Sequence, residues 1–207
     1  MKIQSIEKYK GLTYCVEFYE DKKIYLNQEI LSDYNLKVDM EIPLEAIEEI
    51  IHSSDLRRAR ERALYLIGFH DHSYKELFDK LDKNYPVDIC LEICNKMVSL
   101  GLINDERYAE KLARDLIEVK HYGNYRARFE MQRKGVDKEL AEAALEPYEE
   151  GTIDRLTKLV SRKYARYLVD KKGIQKVKSA LARQGYSFSD INAVLDECID
   201  ELDETDE

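Results

Sequence analysis

Lysine and arginine recur at helical spacing in the last third of this 207-residue chain, and they are its strongest chemical signal. At 100° per residue, Lys172, Lys176 and Arg183 fall within about 40° of one another, with Ser179 beside them. Ile174, Val177 and Leu181 lie on the opposite side and face a core. Arg155, Lys158, Arg162 and Arg166 form a second stripe one helix earlier. Upstream, Tyr122, Arg126, Phe129 and Arg133 occupy the positions equivalent to the first stripe, with Tyr125, Arg128 and Lys134 around them. Cations interleaved with tyrosines suit a nucleic-acid backbone with exposed bases, or an acidic protein surface. The plain alternative is a solvated helix face.

Other constellations are weaker. Cys90 and Cys94 stand at i, i+4 near His70 and His72, and two thiolates with two imidazoles could hold zinc tetrahedrally. That cysteine pair, however, falls on positions where repeats described below carry Ala141 and Leu145, then Ile191 and Leu195, so a core role is expected and no metal. His70-Asp71-His72 has no serine or cysteine nucleophile in a recognisable motif and reads as a turn ahead of a helix cap at Ser73. In Asn104-Asp105-Glu106 the carboxylates are consecutive and cannot converge as an EF-hand loop does. Asn104 as N-cap, with both acids favoured by the helix dipole, explains the run. Without a phosphate loop or dinucleotide fingerprint, neither an enzyme nor a cofactor is expected.

Composition sets the frame. With 36% charged residues, 8 glycines and 3 prolines, the chain suits a helix-rich protein. No run approaches the ~20 apolar residues of a membrane span. The first residues lack a signal-peptide core, and four irregularly spaced cysteines give no disulfide framework. Reduced thiols in a cytoplasm are therefore expected, with no membrane association. The net charge of −9 is misleading: residues 190–207 hold nine acids and no base, so residues 1–189 sum to zero. Within that body, 155–185 carries ten Lys/Arg against Asp170 alone, so an acidic protein retains a basic surface. The acidic tail reads as a frayed end, or as a segment able to fold back on the stripes.

From about Ser54 onward the chain repeats roughly every 50 residues. Leu77/Leu81/Tyr85, Ala127/Met131/Val136 and Val177/Leu181/Tyr186 superpose, followed by Cys90/Ile93/Cys94, Ala141/Ala144/Leu145 and Ile191/Val194/Leu195. Each copy predicts three helices, near 55–69, 73–83 and 87–100; 105–120, 124–134 and 137–146; and 152–169, 173–184 and 188–199. Residues 73–76 form a capping box, and Ser53-Ser54-Asp55 is expected to break a preceding helix that starts at Pro43. Ahead of the repeats, 2–9, 12–19 and 23–26 read as a small antiparallel sheet, with a short helix at 28–34. The expected fold is mainly α: tandem three-helix repeats in an elongated array, with a small N-terminal β-sheet and helix cap. Its divisions are 1–54, 55–103, 104–150 and 151–207.

The segment Leu100-Gly-Leu-Ile-Asn-Asp-Glu-Arg-Tyr-Ala109 resembles the signature of the RecX family, bacterial regulators of the RecA recombinase. His72-Ser-Tyr-Lys-Glu-Leu-Phe-Asp-Lys-Leu81 is similar to the family's first Ser-x-x-Glu-Leu-x-x-Lys-Leu helix. Gly123 through Lys134-Gly135-Val136, and Gly173 through Arg183-Gln-Gly-Tyr186, are similar to its second and third repeats. The N-terminal sheet followed by Leu36-Lys-Val-Asp-Met40 resembles longer Gram-positive members. The acidic tail and Asn84, where the family pattern has glycine, depart from it. The resemblance implies binding to the RecA–single-stranded DNA filament, inhibition of its ATPase and strand exchange, and a limit on the SOS response. It transfers no catalytic site. A monomer is expected, with weaker, salt-dependent affinity for single-stranded DNA. The alternative is a free-standing DNA-binding module or transcriptional regulator, disfavoured because the cations spread over two repeats instead of one recognition helix.

Overall fold

A computed structural model describes residues 1–205, with side chains described through Cys198. Three antiparallel strands open the chain: β1 (Ile3–Lys10), β2 (Thr13–Phe18) and β3 (Lys23–Asn27), paired in that order. Val16 pairs with Ile6 and Ile24, and the alternation sends Val16, Phe18, Ile24 and Leu26 to one buried face with Ile3. Among the described residues ten α-helices follow: α1 (Gln28–Asp33), α2 (Leu44–Ile67), α3 (Tyr74–Leu81), α4 (Val87–Ser99) and α5 (Asp105–Arg114), then α6 (Asn124–Arg133), α7 (Lys138–Leu145), α8 (Thr152–Lys163), α9 (Lys171–Arg183) and α10 (Phe188–Thr205). The chain divides into two compact units, Met1–Asp71 with Leu77–Leu102, and His72–Glu76 with the chain from Ile103 onward.

In the first unit α2 corrects the sequence expectation. Helix runs unbroken through Ser53-Ser54-Asp55. The Ser53 hydroxyl, which would have capped a new helix, instead shares a 2.7 Å hydrogen bond with the Tyr34 hydroxyl, and Ser54 is buried. Tertiary burial on both sides of the pair outweighs the cap preference of serine. Ile47, Ile50 and Ser54 are buried along one side of the helix, Ile47 and Ile50 joining the core under the sheet. Past Ser54 the buried residues change to Ala59 and Ala63, which lie about 160° further round the axis. Helix α2 also packs on α4. Cys90, Ile93 and Cys94 of α4 are buried, and burial pushes the Cys94 thiol up to about 12, so these thiols act as apolar side chains. No metal-holding cluster of His, Cys, Asp and Glu occurs among the described residues.

In the second unit two apolar clusters coincide with the predicted repeat positions. Ala127, Met131, Val136, Ala141 and Leu145 join Tyr108, Leu112 and Leu116 in one; Val177, Leu181, Tyr186, Ile191, Val194 and Leu195 join Leu156 and Val160 in the other. Two helix ends differ from expectation. A wider turn follows α5, with the Lys120 N–H donating to the Asp115 carbonyl. Helix α8 stops at Lys163, where the chain tightens into a 3₁₀ turn at Ala165–Tyr167. Helix α9 begins at Lys171, two residues before the glycine expected to open it, because Asp170 caps it by accepting from the Gly173 N–H. Gly173 is needed inside the first turn: a Cβ there would sit 2.0 Å from the Tyr167 carbonyl oxygen. Helix α10 continues to Thr205; Asp196 and Glu197 of the acidic tail are exposed, and its carboxylates from Asp200 onward lie outside the described side chains.

Candidate partner and nucleic-acid interface

The positions of the cations depend on how repeats two and three are joined. The Gly123 N–H donates to the Gln184 carbonyl at 2.8 Å, and the Tyr186 hydroxyl donates to the His121 carbonyl at 3.2 Å. Contact is close because neither side has a Cβ. One built on Gly123 would lie 2.3 Å from the Gly185 oxygen, and one on Gly185 (φ +89°) would lie 2.4 Å from the Arg126 backbone nitrogen. The Arg126 guanidinium donates to the Arg183 carbonyl at 2.9 Å, so the start of α6 and the end of α9 share this joint. The joint has a counterpart one repeat earlier: the Ser73 hydroxyl donates to the Lys134 carbonyl at 2.6 Å, and a Cβ on Gly135 would lie 2.4 Å from that of Lys75.

At this earlier joint the RecX-like signature has structural work. Asn104 caps α5 by accepting from the Arg107 N–H, as expected. Asp105 does more than favour the dipole: its Oδ1 accepts from the Tyr74 N–H at 2.8 Å and so caps α3. Burial raises the Asp105 carboxyl despite that hydrogen bond. Ser73 does accept from the Glu76 N–H, but the Glu76 carboxylate turns outward from the box. It accepts from the Tyr108 hydroxyl at 2.7 Å and from Lys134 Nζ at 3.0 Å. Burial would raise Glu76, but these two donors and the Lys134 charge outweigh it and hold the carboxyl below the usual carboxylate range. A depressed carboxylate stabilises the fold above its unfolded pKa and loses that contribution as pH falls through the folded value. Glu76→Gln is therefore expected to cost about 1–3 kcal/mol at neutral pH, with the difference vanishing in acid. Thermal melts of both chains from neutral to acid pH measure it, and equal melts at neutral pH would remove the carboxylate from the joint.

The candidate cations divide into two sets. Lys172, Lys176 and Arg183, with Ser179, are exposed on α9, while Val177 and Leu181 are buried on its other side. Lys158 and Arg162 are exposed on α8, with Arg166 on the following turn, stacked 4.8 Å from the Tyr167 ring centroid. Arg166 leaves the α8 stripe because the helix has already ended. Arg133 and Tyr125 are also exposed, Tyr125 at 76%.

The other set is engaged in the fold. Arg155 donates to the carbonyls of Tyr148 and Glu150 and to the Thr152 hydroxyl, locking the turn before α8. Lys134 is committed to Glu76, and half-buried Arg126 lies 4.1 Å over the Tyr122 ring. Glu130 stands 2.6 Å from Arg133 and 3.9 Å from Arg126, so one carboxylate partly neutralises the stripe of repeat two. Arg128 is half-buried. Sequence spacing missed these roles because the partners of Arg155 and Arg126 are main-chain carbonyls, which leave no mark in a sequence.

The pattern described as RecX, second three-helix domain, matches residues 104–145, and that of RecX, third three-helix domain, matches residues 149–195. The chain is similar to the regulatory protein RecX of Clostridioides difficile (strain 630), at 26% identity over 99% of this chain and 98% of that one. It is 30% identical to the regulatory protein RecX of Lactococcus lactis subsp. cremoris (strain SK11), over 100% of this chain and 80% of that one. Among solved structures, a crystal structure of regulatory protein RecX aligns with a TM-score of 0.66 at 22% identity, covering 94% of this chain and 98% of the other. RecX from Lactobacillus salivarius aligns with a TM-score of 0.64 at 28% identity, over 72% of this chain and 98% of the other.

Proposed function

Since the chain belongs to the RecX family of regulatory proteins, we propose that it binds the RecA–single-stranded DNA filament and inhibits its ATPase and strand exchange, so limiting the SOS response. It works as a cytoplasmic monomer without a cofactor, through divisions 55–103, 104–150 and 151–207 capped by 1–54. The observation that carries the reading is the exposed set Lys158, Arg162, Lys172, Lys176 and Arg183, gathered on one repeat of a chain whose total charge is negative. These cations meet acidic filament surface or exposed strand and block subunit addition or closure around ATP. Arg126, Arg133 and Tyr125 extend the surface; Arg155 and Lys134 support it from within.

The test is the DNA-dependent ATPase of the cognate RecA. Substoichiometric amounts of the purified chain are expected to slow it, and an unchanged rate would refute inhibition. Binding to single-stranded DNA alone is weaker and falls with salt, log K dropping by about 0.7 per phosphate contact for each decade of salt. Two arginines on α8 separate surface from support. Arg162→Gln is expected to shallow the salt slope and leave the melting temperature unchanged. Arg155→Gln is expected to cost about 1–2 kcal/mol of stability by freeing the turn carbonyls, with the salt slope retained. Denaturant titration and fluorescence anisotropy read the two, and the reverse assignment would return Arg155 to the surface.

A further inference from the structure

The second half of α2 carries a surface that neither the repeat stripes nor the family signature includes. Arg58, Arg62 and Tyr65 fall within about 60° of one another around the helix axis, and Phe69 follows in the turn just past the helix end. This is the same side of α2 on which Ile47, Ile50 and Ser54 are buried in the first half. Beyond Ser54 that side is uncovered: Tyr65 is 57% exposed and Phe69 69%. The two rings meet edge to face at 4.7 Å, and the Arg62 guanidinium lies 5.3 Å from the Tyr65 centroid. Arg58 is exposed, with Asp55 3.4 Å away. Both guanidinium groups also act on Tyr85, whose hydroxyl burial pushes up while they pull it down.

We propose that Arg58, Arg62, Tyr65 and Phe69 form a stacking site for single-stranded nucleic acid, separate from the cations of the last repeat. The faces of unpaired bases stack on exposed rings, and two arginines one turn apart track the phosphates. An acidic protein would be matched by the arginines but not by two solvent-facing rings. A duplex hides its base faces and does not fit the rings. The inference deepens the reading above and rests on it only in that the proposed partner carries single-stranded DNA.

The chain has no tryptophan, so Tyr65→Trp places its sole indole in the site. Titration with oligo-dT, in the absence of any recombinase, is expected to quench that emission saturably, while blunt duplex leaves it unchanged. Adding Phe69→Ala is expected to weaken oligo-dT binding about tenfold, and Arg58→Gln with Arg62→Gln to shallow its salt dependence. The quench should persist when Lys172, Lys176 and Arg183 are replaced by glutamate. Failure of this site thus remains distinct from failure of filament inhibition, which the ATPase reads. Absence of quenching by oligo-dT would overturn the proposal. So would unaltered affinity in a folded Phe69→Ala chain, or emission that responds only to protein concentration or to an acidic protein.

Discussion

Replacing Lys172, Lys176 and Arg183 together by glutamate is expected to abolish inhibition of the RecA ATPase while the helix content stays native. The three side chains project into solvent from α9, opposite Val177 and Leu181, so each replacement should shift stability by only about 0.5 kcal/mol. The electrostatic change is large by contrast, because three attractive charges become three repulsive ones on the surface assigned to an anionic partner. Circular dichroism establishes the fold and a coupled ATPase assay the loss. Full inhibition by the folded triple variant would remove α9 from the mechanism.

Gly123→Ala is expected to cost about 2–4 kcal/mol, through overpacking against backbone that cannot yield. The added methyl would stand 2.3 Å from the Gly185 carbonyl oxygen, at the bond that joins α6 to the end of α9. Gly101→Ala is the control. Its φ is +68° with nothing within 4 Å, so it should carry only the left-handed penalty of about 1 kcal/mol. Urea denaturation compares the two. Equal costs would mean that the joint relaxes around the methyl group.

The repeats were legible because burial is periodic. Positions such as Ala127, Val177, Met131 and Leu181 recur at a fixed interval and are buried in both clusters of the second unit. Asn104 was legible because a cap acts on its own helix. Glu76 was misread, and Asp105 read only in part, for the complementary reason: each carboxylate serves a group about 30 residues or more away, Tyr74 for Asp105, Tyr108 and Lys134 for Glu76. The exposed face of α9 followed from spacing alone. Spacing could not separate Arg155 from Lys158, since an arginine bound to carbonyls has the same periodicity as one in solvent.

Helix α2 joins two packing surfaces on nearly opposite sides of one rod, and its length is therefore under a stricter constraint than its composition. Gaining or losing one residue between Ile50 and Ala59 would turn one half by about 100° relative to the other. Either the core under the sheet would lose Ile47 and Ile50, or Ala59 and Ala63 would be turned out of their buried positions. Substitutions there leave the phase intact. Among relatives, this stretch should accordingly vary in residue type while keeping its count, with insertions admitted only near seven residues, where two turns bring both faces back within about 20°.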